Sequence, residues 1–165
     1  MKCISAIAWT ATCLSAVAAA GSLKVPGDSP LEFCNSDPDR DVVQIEKVDI
    51  SPNPPKAGKP LLVTFKGDIK SNVTSGSYVK ITIKYGLIQL LSTTADFCEQ
   101  AGNVDLSCPL EAGKLVLTKR FDMPAAIPPG TYKVFADAYT DDDENMACLE
   151  ATVNFPRPTL LEEEL

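Results

Sequence analysis

The chain is 165 residues long and carries 22 acidic against 15 basic side chains, a net charge of −7, with no histidine. Without histidine the Ser-His and Cys-His nucleophile arrangements are absent, and a metal site loses its usual nitrogen ligand. An acidic chain lacking a basic stripe interleaved with aromatics also argues against a nucleic-acid partner.

In chain order, Met1-Lys2 is a short positive start, Cys3 to Val17 is mostly apolar, and Ala18-Ala19-Ala20 supplies small residues at a cleavage point. Residues 1–20 therefore read as a secretory signal peptide whose apolar run is too short to span a bilayer. Its removal takes away Cys3, Cys13 and Lys2, leaving four cysteines and 14 basic against 22 acidic groups, a charge of −8. The expected destination is outside the cell or the vacuolar lumen, reached through a disulfide-forming compartment. Residues 21–40 form an extended lead-in: from Leu23 to Arg40 they are rich in proline, glycine and aspartate, and they are in part a candidate pro-segment. The folded domain is expected over residues 41–156, followed by a flexible acidic tail at 157–165.

Within the domain the apolar pattern has a period of two. Val42 to Ile50 is followed by Ser51-Pro52-Asn53-Pro54-Pro55, which cannot belong to a central strand. From Leu61 to Ile69, Leu61, Val63, Phe65, Gly67 and Ile69 face inward, against Thr64, Lys66 and Asp68. Val79, Ile81, Ile83, Tyr85 and Leu87 share a face opposite Lys80, Thr82 and Lys84. Leu115, Leu117, Phe121 and Met123 share another, against Thr118, Arg120 and Asp122. Lys119 has the inward parity of that last set, so either a bulge turns it outward or it snorkels to meet an anion. Finally, Tyr132, Val134, Ala136 and Ala138 alternate from Thr131 to Thr140. Across the polar turn Asp141–Asn145, Ala147, Leu149, Ala151, Val153 and Phe155 do the same. No segment has a helical period. Six or seven strands with one wet face each predict an all-β antiparallel sandwich. Its small inward residues, Gly67, Ala136, Ala138, Ala147 and Ala151, are compatible with a vacant interior or with dry packing around large neighbours.

Four cysteines allow three pairings. The favoured one joins Cys98 to Cys108, closing a polar loop, and Cys34 to Cys148, tying the lead-in to the last strand. In the chain-entropy model these contribute about 3 and 5 kcal/mol. Asn72-Val73-Thr74 is a candidate glycosylation acceptor at Asn72. Asp141 to Glu144 lacks the alternation and glycine of a calcium loop and reads as a solvated turn. Neither a metal nor a cofactor is expected.

Several motifs are similar to those of the ML lipid-recognition family. They are Ser51-Pro52 with Pro55 and Gly58, Val63-Thr64-Phe65, Cys98…Cys108-Pro109-Leu110, Pro124…Pro128-Pro129-Gly130-Thr131-Tyr132 and Asp141-Asp142…Cys148. Lys84-Tyr85-Gly86-Leu87-Ile88, Phe97-Cys98-Glu99-Gln100 and Ile127-Pro128-Pro129-Gly130 most resemble the fungal phosphatidylglycerol/phosphatidylinositol transfer proteins, relatives of the soluble Niemann–Pick type C cholesterol carrier. The likeness runs from about Cys34 to Phe155. The cholesterol carrier's third disulfide, just after the first strand, has no counterpart at Pro54 and Pro55.

The resemblance implies an immunoglobulin-like sandwich of two sheets, splayed at one edge around a lipid. The cavity would be lined by the inward residues Leu61, Val63, Phe65, Gly67, Val79, Ile81, Ile83, Tyr85, Leu115, Leu117 and Phe121. Tyr132, Val134, Ala136, Ala138, Leu149, Ala151 and Val153 would complete it. Its mouth would fall at Leu90, Leu91, Ala125 and Ile127, in loop-like sequence. Lys119 becomes a candidate contact for an anionic head group. The implied activity is non-enzymatic: a monomer enclosing one phospholipid of the phosphatidylglycerol/phosphatidylinositol class and touching membranes only transiently. A sterol carrier and an extracellular lipid-presenting recognition module are the alternatives.

Overall fold

The computed structural model describes residues 23–157, so the expected signal peptide, with Cys3 and Cys13, and nearly all of the expected acidic tail lie outside the described residues. The described chain forms two antiparallel sheets. The strands are β1 (Leu23–Lys24), β2 (Leu31–Phe33), β3 (Val43–Ser51), β4 (Pro60–Ile69), β5 (Tyr78–Tyr85), β6 (Ile88–Asp96), β7 (Gly113–Asp122), β8 (Gly130–Tyr139) and β9 (Asn145–Phe155). One sheet runs β1-β2-β9-β8-β5-β6 and the other β3-β4-β7. A short helix, α1 (Phe97–Gly102), separates β6 from β7.

The hairpin of β8 and β9 is the long central pair of the larger sheet, in register from Gly130↔Phe155 to Ala138↔Ala147. Its polar turn is closed by local bonds: Thr140 N–H donates to Glu144 O at 2.9 Å, and Glu144 N–H to Thr140 Oγ1 at 3.0 Å. Tyr78 and Thr74 hold the turn from the neighbouring segment through Asp143 and Asp141. These carboxylates are thus occupied as hydrogen-bond acceptors that shape a turn.

Three sequence expectations need correction. The lead-in is more than an extended segment, because β2 pairs with β9 and extends the large sheet. Val25 and Phe33 are buried with Val48 in a cluster under this edge. The chain then follows β3, whose Val48 and Ile50 amides donate to Pro26 and Asp28 carbonyls. At Gly27 the backbone runs so close that a Cβ would lie 2.3 Å from Val48 O, and φ is +114°. Only glycine fits such an approach. Second, Leu87 does not continue the inner face of β5. It stands fully exposed in the β5–β6 turn, beyond the end of the strand.

Third, Leu90 and Leu91 lie on a strand, not in a loop. β6 is an edge strand, exposed along nearly its whole length, held by backbone pairing to β5. Its sequence does not alternate because the register shifts: Ile83 pairs with Leu91 but Lys84 with Gln89, leaving Leu90 as the extra residue of a bulge. α1 escaped notice for a related reason, since six residues are too few for a helical period. Its start is fixed by Asp96, whose Oδ1 accepts the Glu99 amide at 2.9 Å.

A second buried cluster, Val42, Ile69, Val73, Leu110 and Met146, closes the end of the sandwich near the β8–β9 turn. Both sheets are therefore joined firmly at the β2/β3 side and at this closed end. The opposite end, carrying the β3–β4, β5–β6 and β7–β8 loops, has Pro55 and Phe155 buried but no comparable buried cluster among the described residues.

Candidate functional site

Between the sheets lie two apolar chambers. The larger, about 580 Å³, occupies the open end and is lined by Leu61, Ile83, Tyr132, Val134, Val153 and Phe155 from the strands. Leu90 and Leu91 form its rim on one side, and Pro55, Met123, Pro124, Ala126, Ile127 and Pro128 on the other. The bulge in β6 explains how two consecutive leucines both reach it. The smaller chamber, about 300 Å³, lies toward the closed end between Val43, Ile45, Phe65 and Ile69 and the facing Val79, Ala136, Ala138 and Leu149. Phe97, Val104, Leu106, Leu110, Leu115, Leu117, Met146 and Ala147 complete it. No ionisable carboxylate, ammonium or guanidinium lines either chamber among the described residues.

The inward residues named from sequence divide into three groups. Leu61, Ile83, Tyr132, Val134 and Val153 fall in the larger chamber, and Phe65, Val79, Leu115, Leu117, Ala136, Ala138 and Leu149 in the smaller. Val63, Ile81 and Ala151 share those faces but line neither. Each lies in its strand between a residue of one chamber and a residue of the other, so together they mark a waist. The third group lies elsewhere. Gly67 creates no space, because a Cβ there would sit 2.7 Å from the Phe65 ring and 2.6 Å from Gln44 O. The Phe65 ring already occupies the volume that the missing side chain vacates. Phe121 is exposed near the end of β7. Tyr85 turns its hydroxyl to Pro129 O at 2.9 Å, bracing the rim loop from outside the chamber.

Of the expected mouth residues, Leu90, Leu91 and Ile127 reach the larger chamber. Ala125 does not; it packs toward Gly58, and Ala126 takes its place. A loop without period gives no way to choose between adjacent alanines. Pro124, Pro128 and Pro55 were missed for the same reason, whereas Met123 keeps the inward parity read for it with Leu115 and Leu117. Val43 and Ile45 were legible as alternating residues of the first predicted strand, although the bulge between Ile45 and Lys47 interrupts that alternation.

Lys119 keeps the inward parity of β7, since β4 and β7 pair without any register shift from Pro60↔Asp122 to Ile69↔Gly113. No bulge turns it outward. Its ammonium reaches Asp105 instead, Nζ to Oδ2 at 2.9 Å. The disulfides are Cys34–Cys148 and Cys98–Cys108. The first fastens the lead-in to β9, and the second brackets the loop that carries Val104 and Leu106 into the smaller chamber. Asn72 is exposed, its Oδ1 accepting the Ala112 amide at 2.8 Å.

Two ionisable groups stand apart from the chambers. Asp41, 2% exposed, receives the side-chain amides of Asn35 and Asn145. Burial outweighs those bonds and raises its carboxyl above the ordinary 3.8. On the outer face of the large sheet, Tyr139 stacks on Tyr78 and donates to Asp137, which pushes its phenol up to about 12. Neither group is placed to act on anything held between the sheets.

Comparison with known proteins agrees with this architecture. Residues 28–155 match the ML domain family. A phosphatidylglycerol/phosphatidylinositol transfer protein of Pyricularia oryzae is 50% identical over 137 residues, covering 83% of this chain and 77% of the relative. One of Aspergillus fumigatus is 52% identical over 127 residues, covering 77% and 72%. Among solved structures, a Niemann-Pick type C2 protein from the Japanese carpenter ant superposes with a TM-score of 0.52 at 17% identity, covering 76% of this chain and 98% of that one. Chicken MD-1 complexed with lipid IVa gives 0.55 at 17% identity, covering 82% and 98%. At such identities these two structures establish the fold, the ML β-sandwich.

Proposed function

The chain belongs to the ML domain family, and we propose that it encloses one phospholipid of the phosphatidylglycerol/phosphatidylinositol class between its sheets and transfers it between membranes. The observation that carries this reading is the pair of charge-free chambers, about 580 and 300 Å³, lying between the two sheets behind an apolar rim. Burying a methylene contributes about 0.8 kcal/mol, so two acyl chains of about sixteen carbons represent about 25 kcal/mol. A carrier must shield that surface throughout transit, which an interior without buried charge does. The reading needs no chemical step, so the protein acts as a carrier and not as an enzyme.

Release requires contact with a bilayer. Leu87, Ile88 and Leu90 stand exposed at the tip of the β5–β6 hairpin beside the rim. Large apolar side chains clustered at a cavity mouth fit a surface that docks transiently on lipid. Lys56 and Lys59 lie in the β3–β4 loop at the same end, whereas the acidic β8–β9 turn lies at the other. That polarity favours approach of the mouth to an anionic membrane despite the negative net charge. The two disulfides fit an extracellular or lumenal protein, and secretion or delivery to the vacuole is the destination we infer.

Native mass spectrometry of protein from its source, followed by lipid extraction, tests the assignment. One phospholipid per chain is expected. A co-purifying sterol would replace the ligand class, and a delipidated protein that takes up neither would overturn the carrier reading.

A further inference from the structure

Lys119 is an unusual residue to find at the boundary between two apolar chambers. Leu117, two residues before it, lines the smaller chamber, and Met123, beyond the end of β7, lines the larger. Its register partner is the waist residue Val63. Among the described residues no other cation shares the inward faces of β4, β5, β7, β8 or β9. An ammonium in that position needs an anion, and the chain supplies one from a distant segment. Asp105 follows α1 in a short strap, Asn103 to Leu106, with φ at +61°. The strap is held to the helix by the Val104 and Leu106 amides, both donating to Ala101 O at 3.0 Å. Val104 and Leu106, on either side of Asp105, line the smaller chamber. The ion pair therefore fastens part of that chamber's wall to β7.

The two partners are unequal. The Lys119 side chain is 29% exposed, whereas Asp105 is 82% exposed. Asp105 can leave for water with little loss, since an exposed ion pair of this kind contributes little. Lys119, whose register partner is the waist residue Val63, is the more enclosed of the two. We propose that Asp105 stands in for a lipid phosphate: the phosphate of an anionic phospholipid displaces it from Lys119, while the Cys98–Cys108 bond and the Ala101 carbonyl keep the strap in place. Carboxylate and phosphate oxygens are interchangeable partners for an ammonium. Displacement would place the phosphate beside Lys119, level in register with the waist residue Val63. The proposal rests on the lipid-carrier reading above and adds the group that discriminates among lipids.

The test uses the delipidated full chain and compares phosphatidylglycerol with diacylglycerol of the same acyl chains, so that only the head group differs. Asp105→Asn removes the competitor and should tighten phosphatidylglycerol binding by up to about five-fold. Lys119→Gln should weaken it about ten-fold. Neither substitution should move diacylglycerol affinity. The opposite signs separate this role from a merely structural clasp, for which both substitutions would loosen the strap and shift both lipids together. That common shift, or no shift with either substitution, overturns the proposal. Millimolar inorganic phosphate should compete weakly with phosphatidylglycerol and leave diacylglycerol unaffected. Binding of inorganic phosphate as tight as that of the lipid would identify a free anion as the occupant and overturn the head-group assignment. A parent protein that takes up neither lipid would refute the carrier reading itself.

Discussion

If the smaller chamber holds part of the ligand, filling it should expel lipid without unfolding the protein, and Ala136→Trp is the substitution that asks this. Ala136 lies on β8 between Ile81 and Leu149 in register, with its side chain at the chamber wall. A volume of about 300 Å³ accommodates about ten methylene-sized groups, taking about 30 Å³ for each as for a water molecule. An indole filling about half of it would exclude about five methylenes, a loss of about 4 kcal/mol at 0.8 kcal/mol each. That corresponds to about a thousand-fold weaker retention. The same substitution in a filled core would cost about 1–3 kcal/mol of stability through overpacking. Ala151→Trp supplies that comparison, because Ala151 sits at the waist and lines neither chamber. The measurements are lipid retention after gel filtration and the thermal midpoint of the delipidated variants. The expectation is that Ala136→Trp loses lipid with an almost unchanged midpoint, whereas Ala151→Trp loses stability. Undiminished lipid uptake by a folded Ala136→Trp would show that the smaller chamber is not ligand volume.

Leu87→Asp should leave stability within about 0.5 kcal/mol, since the side chain is fully exposed. It should nevertheless weaken vesicle association about ten-fold or more, the loss of one buried leucine, as read by flotation. Replacing Cys98 and Cys108 by serine should cost up to about 3 kcal/mol and speed lipid loss, because their loop carries Val104 and Leu106. Replacing Cys34 and Cys148 should cost more stability but leave the loop intact. Asp41 gives a pH dependence of known sign. Its folded pKa lies above the ordinary 3.8, so the native state keeps a proton that the unfolded chain releases. Its contribution is therefore full below pH 3.8 and is lost as pH rises through the folded value, by about 1.4 kcal/mol per unit of difference. Asp41→Asn should flatten this part of the curve in denaturant titrations at a series of pH values.

How much of this could be read from the sequence depended on periodicity. Leu61 to Ile69, Val79 to Tyr85 and the two halves of the Thr131–Phe155 hairpin alternate without interruption, and each forms a strand with the expected inner face. Alternation fails wherever backbone geometry changes within a few residues. The bulge at Leu90 made an edge strand look like a loop, and the three residues of β2 are too few to alternate at all. Parity also overreaches, because it fixes direction and not space. Gly67 and Ala151 point inward as read, yet Phe65 fills the first site and the second lies at the waist between the chambers. The rim residues Pro124 and Ala126 were beyond any pattern argument, since their positions follow from a loop held by bonds from Gly58 and Tyr85.

The distribution of stabilising contacts explains how a sandwich can keep an unfilled interior. Packing is concentrated in two places: the cluster of Val25, Phe33 and Val48 beside β3, and that of Val42, Ile69, Val73, Leu110 and Met146 at the closed end. The Cys34–Cys148 bond ties the lead-in to β9 and so reinforces the first. These regions fix the two sheets along one edge and one end, like the hinge side of a shell. The β6 and β7 edges are thereby relieved of holding the sheets together, and neither is paired to a further strand. Between them the chain places only α1, its disulfide loop and the Asp105–Lys119 pair, contacts that are local or exposed. Local openings of low free energy are drawn from such sparsely packed elements. Ala136, Ala138 and Ala147 then acquire a reason beyond packing, since larger side chains there would fill the smaller chamber and remove space that a ligand requires.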